Sequence, residues 1–145
     1  MLGKYLNIIS QLAARLMLPF IMLFGLYVLF FGHYSPGGGF QGGAIIGAGV
    51  ILMRLVMGRV ETYKKFPPGV FIVGGAVGLI IYAGTGLVGL ITGNNFLDYS
   101  GLPLPWISEP LRRYLGILMV EIGVCLGVSG VMVTIYDNLS RETSE

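Results

Sequence analysis

Charge is scarce in this sequence: only 11% of its 145 residues are Asp, Glu, Lys or Arg, where a soluble domain carries roughly 25%. An ordinary water-covered surface is thereby excluded. Cysteine is nearly absent as well. Cys125 stands alone, which excludes an internal disulfide, a paired-cysteine redox motif and a cysteine-rich metal site. His33 is the only histidine, and no His, Cys and carboxylate cluster has metal-ligand spacing. The net charge of +2 and the lack of basic clusters interleaved with aromatics give no nucleic-acid surface. No nucleophile has a base placed beside it by spacing. The expectation is a chain with no cofactor, no metal and no catalysis of its own.

What the sequence has is apolar length and glycine, at 54% apolar residues and 24 glycines. A helix needs about 20 apolar residues to cross the roughly 30 Å hydrocarbon core. Four stretches reach that length, at about 10–31, 40–57, 70–93 and 114–136, and they predict an all-α membrane protein, one transmembrane domain over 1–145. The N-terminal apolar run is interrupted by Arg15 and Pro19 and has no cleavage site of the secretory type, so it is expected to be retained as the first span. Arg15 can snorkel and Pro19 can kink the helix locally.

Between the second and third spans the run from Arg59 to Lys65 predicts a charged turn, closed by Pro67 and Pro68. The segment from Asn94 to Arg113, with Pro103, Pro105, Trp106 and Pro110, predicts a connection lying along one membrane face. Four spans put both termini on one side with Lys4, Arg15, Arg54, Arg59, Lys64, Lys65 and Arg141. The other side keeps Arg112 and Arg113. The positive-inside rule then predicts a multi-pass protein of the cell membrane with both termini cytoplasmic.

In lipid, helices associate by close backbone approach, so small residues at helical spacing mark contact faces. The fourth span carries Gly116, Gly123, Gly127, Gly130 and Thr134 on one stripe, with Glu121, Cys125 and Met132 nearly opposite. The third carries Gly75, Gly78, Gly86, Gly89 and Gly93 around Tyr82, and the second carries Gly43 and Gly47. A carboxylate at mid-span costs about 2.5–3.5 kcal/mol against lipid, so the Glu121 face should be covered. The fourth helix is therefore expected to be sandwiched, and this much packing surface is expected to need other polypeptides.

The stretch from Gly32 to Gly43 is the most unusual. Gly37, Gly39 and Gly42 match a dinucleotide-binding spacing, but the run follows a membrane helix rather than a strand. A structural reading fits better. Ser35 is expected to cap the second helix and Pro36 to open it, while the glycines admit neighbouring backbones or present bare amides to an ion. Glu121 is the leading candidate for an ion or proton path, the alternative being an interhelical hydrogen bond or ion pair. His33 could relay protons or be a hydrogen-bonded loop residue. Arg54 reads as a snorkelling or subunit-pairing charge, and Cys125 as a small packing residue.

Pro19 to Tyr27, followed by the run Gly32 to Gly43 and by the fourth span from Glu121 to Thr134, resembles the MnhB/MrpB family, the B subunits of Mrp-type monovalent cation/proton antiporters. The resemblance covers nearly the whole chain. It carries the family motif onto His33, Pro36, Gly37, Gly38, Gly39, Phe40, Gln41, Gly42 and Gly43, and an acidic residue onto Glu121. It implies a four-helix subunit with other membrane subunits of an Mrp-type complex as partners, Na+ and H+ as transported ions, and lipid around it. Similar subunits occur in redox-driven complexes of the membrane-bound hydrogenase or sulfur-reducing type. A purely structural scaffold and a self-assembling homo-oligomer are the rival readings.

Overall fold

A computed structural model describes residues 2–32 and 37–142, and the side chains of residues 8–32, 37–58 and 60–140. Among these residues there is no strand. Five α-helices form: α1 (Leu2–Phe30), α2 (Gly39–Met57), α3 (Arg59–Lys65), α4 (Pro68–Ile91) and α5 (Glu109–Glu142), with a 3-10 turn at Tyr99–Gly101. Four of them, α1, α2, α4 and α5, are long and apolar enough to cross a membrane, because each supplies an almost uninterrupted run of helix-compatible apolar residues. Pro19 sits inside α1 without ending it.

The ends differ from the sequence expectation in three places. The first described residue before α2 is Gly38, at φ 128° and with no side chain capping the helix. The Ser35 cap and the Pro36 opening lie outside the described residues, and α2 starts at Gly39 instead. The expected charged turn is the helix α3. Gly58, at φ 78°, breaks the chain direction after α2. Glu61 in the first turn and Lys64 and Lys65 in the last then suit the helix dipole. Finally, α4 stops at Ile91 rather than Gly93, which takes φ 80°, the left-handed geometry that suits glycine after a helix end.

Spatially the long helices form a row in the order α1, α2, α5, α4. The middle pair is parallel. Gly39 meets Glu121, Gly43 meets Cys125 and Gly47 meets Ser129, so residue numbers rise together along the contact. The outer helices run antiparallel to their neighbours: Gly49 of α2 lies against Leu18, Ile21 and Met22 of α1, while Gly75 and Gly78 of α4 lie against Gly130 and Gly123 of α5. α5 is thus sandwiched, as its two faces predicted. Both covers belong to the same chain, however. The Glu121 face, expected to be covered, is packed against α2 of the same chain.

Candidate functional site

Every fourth residue of α5 from Glu121 onward points toward α2: Glu121, Cys125, Ser129, Val133 and Asp137 form one stripe. Opposite them α2 presents glycine because nothing larger fits. A Cβ on Gly39 would overlap the Glu121 carbonyl, and one on Gly43 would lie 2.6 Å from the Cys125 carbonyl oxygen. At Gly47 the squeeze eases to 3.4 Å from both Ser129 Cα and Met132 Cβ. The hydroxyl of Ser129 is satisfied within its own helix, donating to the Cys125 carbonyl at 2.8 Å.

At one end of this seam the Glu121 carboxylate rests on the glycine-rich run. A Cβ at Gly32 would stand 3.0 Å from Glu121 Oε1, and one at Gly38 would stand 3.2 Å away. The side chain is half-buried, with Oε2 shut off from the surface. Gly32 and Gly38 also crowd each other, a Cβ on Gly32 falling 2.8 Å from the Gly38 nitrogen. The positive φ of Gly38 lets the chain turn there into α2. A carboxylate therefore meets the positive end of a helix dipole, well inside the span of α5.

At the other end lies a buried ion pair. Arg54, 2% exposed, pairs with Asp137, 3% exposed, through its Nη1 and Oδ2. Arg54 Nη2 also donates to the Phe66 carbonyl at 3.2 Å. The Tyr63 hydroxyl donates to Asp137 Oδ1 at 3.2 Å. The guanidinium carbon lies 5.0 Å from the Tyr63 ring centroid and 5.3 Å from that of Phe71, within cation–π range. Thr62 fastens α3 to the end of α2, its hydroxyl lying 2.8 Å from the Gly58 carbonyl oxygen. Breaking such a buried pair by removing one partner costs about 3–5 kcal/mol, since the other charge is left behind.

The far face of α5 packs on α4 by a glycine-to-glycine approach. A Cβ on Gly78 would fall 2.7 Å from the Gly127 nitrogen, and one on Gly130 would fall 2.9 Å from Gly75 Cα. Gly127 itself opens into free space, in an apolar groove of about 310 Å³ between α4 and α5 that Tyr82 and Val131 also line. Three glycines expected to pack helices meet the connection instead, Gly89 lying against the Asn95 carbonyl. Gly86 sits under the Phe96 ring and Gly116 under the Tyr99 ring, so the 92–108 connection folds back onto the helix ends rather than only lying along the membrane face.

That connection is held by Asp98, which accepts from the Ser100 hydroxyl at 2.6 Å and the Ser100 amide at 3.0 Å. These two bonds hold its carboxyl below its ordinary value, and Arg113 adds to the effect. Arg112 donates to the Ser100 carbonyl at 2.9 Å and the Ile107 carbonyl at 3.2 Å. Burial pushes the Tyr99 hydroxyl up, and the Glu121 carboxylate adds to the rise. Trp106 remains 78% exposed, as an interfacial aromatic would. Among the described residues no three metal-capable side chains converge.

The family described as "Domain related to MnhB subunit of Na+/H+ antiporter" matches residues 9–134. The chain belongs to the MnhB family. Among its relatives, a Staphylococcus haemolyticus (strain JCSC1435) protein named as antiporter subunit mnhB2 is 35% identical over 137 residues, covering 92% of this chain and 94% of the relative. A protein of the same name from Staphylococcus aureus (strain Newman) is 31% identical over 136 residues, with coverage of 92% and 94%.

In this MnhB chain the residues singled out from sequence separate into two ends of one seam. Glu121 meets Gly38 and Gly39 of the family motif, with Gly42 and Gly43 continuing into the α1 and α5 contacts. Phe40 and Gln41 are exposed on the first turn of α2, and Gly37 is half-buried before it. His33 and Pro36 lie outside the described residues. Arg54 is neither snorkelling nor presented outward. It turns inside, because Asp137 of the same chain offers a charge where lipid offers none. Asp137 and Tyr63 were missed from the sequence. The four-residue step from Glu121 through Cys125 and Ser129 ends on Asp137, and that spacing could have found it.

Proposed function

We propose that this chain is a membrane subunit of a multi-subunit monovalent cation/proton antiporter, and that Glu121 borders the cation path. The observation that carries the reading is the half-buried carboxylate laid against Gly32 and Gly38 at the start of α2, twelve residues along the span-length helix α5. Carboxylates carried on membrane-spanning helices mark ion and proton routes. Membership of a family related to an Na+/H+ antiporter subunit supports the exchange chemistry. The names of the relatives support partnership with other subunits. Sodium and protons are the ions, and the other Mnh subunits carry the rest of the route.

Replacing Glu121 by Gln and measuring sodium-driven proton exchange in everted vesicles holding the whole complex tests the reading. Exchange falls or its half-saturating sodium concentration rises, with the complex present at normal level. Unchanged exchange at unchanged sodium affinity removes Glu121 from the path. A scaffold reading is favoured by one observation, the continuous glycine contact of α5 with both neighbours, and under it Glu121→Gln is silent while Gly39→Leu abolishes assembly. For topology, both termini lie in the cytoplasm, on the side of Arg15, Lys64 and Lys65. Reporter fusions at each end read this directly, and a signal from the outer side of the membrane at either contradicts it.

A further inference from the structure

The glycine seam between α2 and α5 has a weakness that its repeat creates. Gly39, Gly43 and Gly47 recur every four residues and meet the backbone of Glu121, Cys125 and Ser129, which recur at the same step. A slide of four residues, about 6 Å with a rotation of about 40°, brings Gly39 to the place of Gly43 and Gly43 to the place of Gly47. Small residues would still face backbone. The repeat thus fixes the face of α2 but not its height. Something aperiodic must fix the height, as a single buried polar residue does in coiled coils.

Arg54 and Asp137 are that element. They close the seam at the end away from Glu121, both nearly fully enclosed, and no other acid or base lies on the stripe between Glu121 and Asp137. The Phe66 carbonyl holds Arg54 from the α3 side and Tyr63 reaches Asp137 from α3, so a slide of α2 on α5 breaks both the Arg54 and the Tyr63 contacts with Asp137. Since α2 is one continuous helix from Gly39 to Met57, fixing Arg54 fixes the height of Gly38 and Gly39 against Glu121. We infer that Arg54 and Asp137 are positioning residues that lock the register of α2 on α5 and thereby hold the start of α2 beside Glu121. The lock stands on contacts within this chain, while its consequence for exchange rests on the proposed role of Glu121.

The register can be read by a disulfide in the assembled complex. With Cys125→Ala removing the native thiol, Gly47→Cys with Met132→Cys places two sulfurs across the seam, since a Cβ at Gly47 lies 3.4 Å from that of Met132, close to the roughly 3.5–4.5 Å of disulfides. Closure on mild oxidation is measured as protection from a maleimide-polyethylene glycol reagent. Closure is near complete with the pair intact. It falls by roughly threefold or more in Asp137→Asn or Arg54→Gln, the scale of one interhelical polar contact in a membrane, and returns in Asp137→Glu. Undiminished closure in both single variants overturns the lock. Where neither is recovered in the complex, the reversed pair Arg54→Asp with Asp137→Arg decides: closure regained supports the lock, and closure not regained overturns it.

Exchange supplies a second readout. Asp137→Asn raises the half-saturating sodium concentration, Asp137→Glu restores it, and Asp137→Asn adds nothing once Glu121→Gln is present. Additive effects of the two changes contradict positioning. Silence of Glu121→Gln alone sinks the path reading and leaves the register to be judged by closure.

Discussion

Gly39 and Gly127 occupy neighbouring helices and respond oppositely to the same change. A methyl on Gly39 overlaps the Glu121 carbonyl, so Gly39→Ala pushes α2 off α5 and lowers the yield of folded protein. A methyl on Gly127 meets nothing within 4 Å, so Gly127→Ala is neutral, or stabilising by at most about 1 kcal/mol through helix propensity. Thermal stability in detergent separates the two. Arg54→Ala leaves Asp137 enclosed and costs about 3–5 kcal/mol, which a denaturing-detergent titration reads as an early midpoint. The Asp98 carboxyl is held down by Ser100. A depressed carboxyl gives stability that is present above its ordinary value of 3.8 and is lost as pH falls through its lower folded value. Trp106 fluorescence should therefore stay flat from neutral pH down to that value and change only below it, whereas a transition near neutral pH would contradict the Asp98 turn.

The helices themselves were largely legible. Apolar length gave the four spans, and helical spacing put Gly123 and Gly130 on one face of α5 and Glu121 and Cys125 on the other. What periodicity cannot supply is which helix covers which face. Gly86 and Gly116 share stripes with true packing glycines, yet Phe96 and Tyr99 of the connection cover them. Nothing in a helical repeat distinguishes a folded-back loop from a neighbouring helix. Arg54 misled for a related reason, because its partner lies far along the chain and only the fold brings it close. The segment Arg59–Lys65 looked like a turn because charge and prolines surround it, but its charges are ordered to suit a helix dipole. At this scale Gly78→Leu should separate α4 from α5, while Gly127→Leu should leave them joined. Protease sensitivity of the 92–108 connection checks both, and cleavage rising equally in the two variants would contradict the seam as described.

As a whole molecule the chain is a row rather than a closed bundle. α1 and α4 stand at its ends, and large apolar side chains such as Phe20, Leu23, Ile80 and Ile91 face outward from them. The Glu121 face at the centre is packed against α2 of the same chain, so the case for partners rests on family membership and on the antiporter names of the relatives. An MnhB chain of this form should act as part of a larger assembly. The most direct test is the native mass of the assembly purified in mild detergent from membranes expressing the whole gene set. The account predicts a complex in which this chain is one subunit among different membrane polypeptides. A mass that is a whole multiple of this chain alone, stable and unaccompanied, would contradict it.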